Sequence, residues 1–219
     1  MADVGTIAEL STGVGTLALA MATFGASRSS NRAARVAERS LLVGIRPVLF
    51  PSRPQEDPPE KVVFGAPTGE LNIRGFSVKP GTGLVEIDGD HVYLAIPVRN
   101  AGSGLAVLLG WYLRPQRPAP DTPHAEMEEF RPMTRDQFIA AGDHGFWQAA
   151  IRDPDDEWQA GIREAVAERR PIVIELLYGD HEGAQRTVSR FALNPREDGG
   201  WMVGVIRHWS LDAGGIGSS

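Results

Sequence analysis

Asp180-His181-Glu182 is the most chemistry-like triplet in the chain. An imidazole flanked by two carboxylates could ligate a divalent cation or move a proton. Adjacent side chains on a strand point to opposite faces, so the three converge only in a tight turn. Turns also collect polar residues for backbone reasons, and the triplet reads first as a hairpin tip. Asp153, Asp155, Asp156 and Glu157 echo the opening of a calcium loop, but the glycine and glutamate required further on are missing. They read instead as a helix start, with an N-cap acid and Pro154 in the first turn. Gly13-Val14-Gly15-Thr16-Leu17-Ala18 has dinucleotide-fingerprint spacing, yet no strand precedes it and no acidic residue stands about twenty positions later on a second strand. No phosphate-binding loop and no nucleophile elbow occurs. His208-Trp209, and His144 near Phe146-Trp147, read as packing pairs, and Trp111, Trp158 and Trp201 as core or strand-surface residues. No catalytic residue, cofactor site or metal ligand is assigned, and the chain is read as non-enzymatic.

These residues must be held by a scaffold, and composition bounds it. The chain has 219 residues, a net charge of −6 and 42% apolar residues, enough for one domain with a sizeable core. The acidic balance argues against a nucleic-acid partner for the body of the protein. The absence of cysteine excludes disulfides, thiolate metal sites and a cysteine nucleophile. Sixteen prolines and 25 glycines, most of them between short apolar runs, suit a turn-rich β fold.

In chain order, Val48-Leu49-Phe50 reads as a first strand and Pro51 to Lys61 as a loop. Val62 to Phe64, Leu71 to Val78 and Leu84 to Ile87 read as further strands. Val92, Leu94, Ile96 and Val98 alternate with Tyr93, Ala95, Pro97 and Arg99 at period two. The turn Asn100-Ala101-Gly102-Ser103-Gly104 and the return Leu105 to Leu113 then predict a central hairpin, with Pro97 at an edge or a bulge. Phe138-Ile139 and Phe146 to Ile151 are weaker strands. A helix is predicted from Asp153 to about Arg170. Ile172 to Leu176, Thr187 to Leu193 and Trp201 to Leu211 close the series, and Ala213 to Ser219 reads as a disordered tail. The expected fold is mainly β: an antiparallel sandwich over 45–212 with one late inserted helix.

Ahead of this domain, 1–44 reads as a long helix in two parts. Leu10 to Ser27 carries no charge and reaches the ~20 residues that a membrane-spanning helix needs. Ile7, Leu10, Val14, Leu17, Met21 and Phe24 alternate at spacings of three and four, which makes them a helix-association stripe. Beside it runs a stripe of small residues: Ser11, Gly15, Ala18, Ala22 and Ala26. Ala20-Met21-Ala22 resembles a signal cleavage site, but the positive n-region of such signals is missing. The following helix, expected from Ser30 to near Gly44, belongs to a basic run in which Arg28, Arg32, Arg35 and Arg39 share one face. That face suits contact with anionic lipid headgroups. One-sided positive charge places the downstream domain in the cytoplasm.

The order of apolar helix, arginine-rich extension and sandwich resembles small uncharacterised bacterial membrane-anchored proteins with an Ig-like sandwich. Val98 to Ala106 resembles their central hairpin turn. Tyr178 to Leu193, with Asp180-His181-Glu182-Gly183 and Gln185 to Phe191, is similar to a late hairpin in them. The resemblance implies an Ig-like topology and no activity. Three functions are therefore expected in order. The first is a single-pass cell-membrane protein whose cytoplasmic sandwich binds or regulates a protein partner through loops around Gly102, Gly142 and His181. The second is a soluble cytoplasmic homo-oligomer joined through the Ile7 to Phe24 stripe. The third is an enzyme or metal binder around Asp180 to Glu182.

Overall fold

The computed structural model describes residues 21, 23–37, 44–65, 73–183 and 185–211. Chain contacts divide the protein into two units, Met1–Gly44 and Ile45–Ser219.

In the first unit, residues 23–37 are helical and exposed, among them Arg28, Arg32 and Arg35. Four alanines and three arginines, both good helix formers, lie in this run. Met21 and Phe24 are 67% and 69% exposed. Ile7, Leu10, Val14, Leu17 and Arg39 lie outside the described residues, as do the tail 213–219 and the predicted strand start at Leu71.

The second unit is mainly β, as expected. Its strands are β1 (Leu49–Pro51), β2 (Glu60–Phe64), β3 (Arg74–Val78), β4 (Thr82–Asp88), β5 (His91–Asn100) and β6 (Ala106–Arg114). They continue with β7 (Arg131–Ile139), β8 (His144–Ile151), β9 (Ile172–Gly179), β10 (Arg186–Pro195) and β11 (Trp201–Ser210). An α-helix, α1 (Gln159–Ala167), is inserted before β9. Nine strands form one antiparallel sheet, ordered β1-β5-β4-β11-β10-β9-β6-β7, with β8 on the other side of β5. This sheet curls around one core. Leu94, Ile96 and Trp147 from one half meet Trp111, Leu176, Phe191 and Leu193 from the other. The Trp111 and Trp147 rings lie 5.5 Å apart in an edge-on contact. The hairpin β2–β3 covers the opposite face of β5, where Val62, Phe64 and Val78 bury Tyr93 and Ala95. β5 is thus buried on both faces, whereas its alternation predicted one.

The expected central hairpin does not form. β5 pairs with β1, β4 and β8, and β6 with β7 and β9, so the 101–105 turn carries the chain across to the other half of the sheet. Packing at the turn gives the reason. A side chain at Gly102 would collide with the backbone of Arg46 and Val48, and one at Gly104 with the carbonyl of Ile45. The glycines are there for this close approach and not for a two-strand turn. Pro97 also stands elsewhere than expected, in a strand that pairs with three others. β4 pairs β5 as far as Ala95, and β1 takes over from Val98. The Pro97 carbonyl accepts from the Ser52 N–H at 3.2 Å, on the side where those two partners meet. Its missing N–H therefore falls at a break in the ladder and removes no bond.

The helix starts later than Asp153. Asp153 forms a side-chain turn with the N–H of Asp155 at 3.0 Å, and the N-cap is Trp158. The Asp156 carboxylate accepts from the Trp158 N–H and from both terminal nitrogens of Arg131, whose guanidinium lies 3.7 Å from the Trp158 ring centroid. Burial pushes the Asp156 carboxyl up, but the bonds from Arg131 and Trp158 outweigh it and hold it below its usual value. At the other end Arg169 takes the left-handed conformation (φ 55°) and the Arg170 N–H returns to Ala165. That is the helix-terminating turn that usually uses glycine. Carbonyls of Arg196, Gly199 and Gly200 accept the Arg169 guanidinium and hold it against the β10–β11 turn.

Candidate functional site

The triplet singled out by type is a hairpin tip. The Asp180 carboxylate turns inward and accepts from the Gln185 N–H at 3.3 Å, and Gly183 donates to the Asp180 carbonyl. His181 and Glu182 face solvent, with side chains 58% and 63% exposed. Asp180 therefore serves the turn, and the three groups do not converge.

The three loops expected to bind do share one end of the sheet, and their contacts with each other tie them down. Asn100 is fully buried and uses its whole amide. Its Nδ2 donates to the carbonyls of Gly104 (2.6 Å) and Ile139 (3.0 Å). Its Oδ1 accepts from Val48 (3.2 Å) and Gly102 (3.0 Å). The Asn100 backbone exchanges bonds with Asp143 and Gly142. Arg46 reaches Gln185 at 2.9 Å, which brings the 180–185 hairpin to the same end.

Two buried polar groupings escaped the reading of types and spacings. Glu175 is fully buried on the outward face of β9, and Arg190 on β10 is 1% exposed. Glu175 Oε1 accepts from Arg190 Nε (2.8 Å) and Arg114 Nε (3.0 Å), and Oε2 from the Ala125 N–H (2.7 Å). Arg190 also donates to the carbonyls of Thr122 and Pro123. Every oxygen is in use, so this carboxylate pins the proline-rich 115–126 loop onto the sheet and has no vacancy for a substrate.

The other grouping is a chain of hydroxyls. The Leu49 N–H donates to the Tyr178 hydroxyl (3.1 Å), which lies 2.8 Å from Ser189 Oγ, itself 2.6 Å from His208 Nδ1. Tyr178 and Ser189 are fully buried, so Ser189 is out of reach as a nucleophile. With His208 neutral, donation runs consistently from Tyr178 through Ser189 to Nδ1. Protonating Nδ1 would reverse Ser189 and leave the tyrosine hydroxyl without an acceptor. Burial pushes the His208 imidazole below its ordinary 6.5. The unfolded chain therefore binds this proton at a higher pH than the native one. Stability from His208 is complete above about pH 6.5 and falls as pH drops through the lower native value. In Tm measured from pH 7.5 to 5.5, His208→Phe is expected to show a shallower fall than the unsubstituted chain.

The feature with the open geometry of a site lies between β7 and β8. These consecutive strands each pair with one neighbour, β7 with β6 and β8 with β5, and the described residues show no pairing between them. Two causes separate them. The end of β5 wedges between them, with Asn100 bonded to Ile139 on one side and to Asp143 on the other. β7 also bulges: Leu108 faces Gln137 and Gly110 faces Pro132, which lifts Met133 to Asp136 off β6. The resulting groove is about 200 Å³. Trp111, Met133 and Phe64 supply its apolar walls, and Thr134, Arg135, Gln137, Gln148 and Arg152 its polar ones. That volume is below the ~300 Å³ at which small-molecule and cofactor pockets begin. Inside it, Gln137 Oε1, Gln148 Oε1 and Arg152 Nε are buried without a hydrogen-bond partner among the described residues. Among the described residues that line it, none is acidic.

Arg135 and Arg152 were not singled out from the sequence. The available signal was Pro132 in a run of mixed polarity, which marks an edge or a bulge but gives no charge pattern. Of the residues that were singled out, Arg28, Arg32 and Arg35 stand exposed on the 23–37 helix. Comparisons with protein-family models, curated proteins and solved structures return no match.

Proposed function

We propose that the chain is a non-catalytic binding protein, held at a membrane by its N-terminal run and presenting its β domain to a protein partner in the cytoplasm. The observation that supports this reading is the 23–37 helix. It exposes Arg28, Arg32 and Arg35 and, at its start, the apolar Met21 and Phe24. The uncharged Leu10 to Ser27 precedes or overlaps it, and Arg39 continues the basic face. An apolar stripe running into a one-sided arginine flank is the order expected of a cytoplasmically oriented anchor. Among the described residues no helix is long and apolar enough to cross a membrane, and the run before residue 21 lies outside them. The immunoglobulin-like assignment of the sheet belongs to the same proposal and rests on the likeness of the Val98 to Ala106 and Tyr178 to Leu193 segments.

A soluble homo-oligomer is the second reading. Exposed Met21 and Phe24 favour it, because the Ile7 to Phe24 stripe would be covered equally well by a second copy as by lipid. Fractionation of cells expressing the full chain separates the two. Retention in membranes through carbonate and high-salt washes is expected. Release by salt alone would reduce the anchor to the arginine face, and a soluble protein whose mass halves on removal of residues 1–39 would establish the oligomer.

A further inference from the structure

We propose that the groove between β7 and β8 takes up an extended acidic segment of a protein partner as an added strand. The proposal rests on the protein-binding reading above and gives that partner a chemistry. Three observations converge on it. First, β7 and β8 each pair on one side only, so two rows of backbone donors and acceptors flank the groove. An extended peptide is the ligand that satisfies such rows, as in strand addition to a sheet edge. Second, the unpartnered groups at the groove are of both kinds. Gln137 Oε1 and Gln148 Oε1 require donors, and Arg152 Nε requires an acceptor. A peptide backbone brings both, whereas a simple anion brings acceptors alone.

Third, the charge is one-sided. In a chain of net charge −6, the described residues that line this groove include Arg135 and Arg152 and no carboxylate. Arg152 already donates to the Gly65 carbonyl, which fixes its guanidinium at the rim. Arg135 sits on the bulge that turns it away from β6. Two guanidiniums so placed select a segment with carboxylates on alternate residues, because alternate side chains of a strand share a face. The same features guard the edge when it is empty. Pro132, Arg135 and Asp136 are exposed along β7 and discourage indiscriminate pairing between copies.

The test uses full-length protein in detergent micelles, which hold it whether or not the N-terminal run is an anchor. The probe is a fluorescein-labelled, acetylated heptapeptide of alternating valine and glutamate, followed by anisotropy, with a lysine-for-glutamate counterpart. The glutamate peptide is expected to bind at least about tenfold more tightly than the lysine peptide. Arg135→Ala and Arg152→Ala should each weaken it about five- to tenfold, with Tm checked to show that the fold persists. N-methylation of the valines should abolish binding, because it removes the backbone donors. Absence of saturable binding at millimolar peptide overturns the proposal. So does equal affinity for the lysine peptide, or indifference to both arginine replacements. A dimer lost in the same variants would assign the groove to a second copy and overturn the acidic partner. Membrane retention does not depend on Arg135 or Arg152. Failed peptide binding with wash-resistant retention therefore sinks the groove alone, and peptide binding by a protein released in the wash sinks the anchor alone.

Discussion

Replacing Glu175 by alanine is expected to cost about 3–5 kcal/mol, because it leaves a buried guanidinium without a counter-charge. Arg190 is 1% exposed and cannot turn to water. The Ala125 N–H would lose its acceptor as well. For a chain of this size the loss corresponds to a fall in Tm on the order of 10 °C, read by thermal or urea unfolding. Arg114→Ala should be much milder, about 1 kcal/mol, since that side chain is 23% exposed and Arg190 still neutralises Glu175. Replacing both members, as Glu175→Leu with Arg190→Met, should cost less than Glu175→Ala alone, because no unpaired charge remains. If Glu175→Ala proves no more costly than Arg114→Ala, the network is not holding the 115–126 loop.

Loss of the Asn100 side chain is the second large effect. Asn100→Ala strips partners from the N–H groups of Val48 and Gly102 and from the carbonyls of Gly104 and Ile139. Each orphaned buried group costs about 1–3 kcal/mol, and partial hydration at this end of the sheet brings the expected total to about 3–4 kcal/mol. Asn100→Asp should do no better, since a carboxylate oxygen would then face two carbonyls in place of the amide donor. Amide exchange is the informative readout. Val48 and Gly102 should lose protection well before the central β9–β10 ladder, because the wedge joining β1, the 101–105 turn and β7 is what fails. Uniform loss of protection would show that Asn100 acts on the whole sheet instead.

Both residues show what a sequence reading passes over. Glu175 stands in a run of alternating apolar residues, Ile172, Ile174 and Leu176, and there it looks like a solvent-facing position. The covering loop comes from residues about fifty positions earlier, and nothing local announces it. Asn100 looks like an ordinary turn residue, and it does begin a turn. Besides Gly102 and Gly104 in that turn, its partners lie 52 positions before it and 39 after it.

The alternation in β5, the β9–β10 hairpin and the mainly β character were legible from the chain, because period-two patterning and turn residues act within about ten residues. The chain also marks the uncharged Leu10 to Ser27 run and the spacing of Arg28, Arg32, Arg35 and Arg39, which are properties of order alone. The partners of β5 and β6 were decided elsewhere. Gly102 and Gly104 read as a two-strand turn, yet the glycines admit the 45–48 backbone, and that contact sends β6 to the far half of the sheet. Arg135 and Arg152 stand 17 positions apart with no periodic relation. They reach one groove because β7 bulges off β6 while β8 follows β5. Strand pairing is a long-range choice made by the packing of the core. It places side chains from separate edges side by side, and no local pattern encodes which edges will meet.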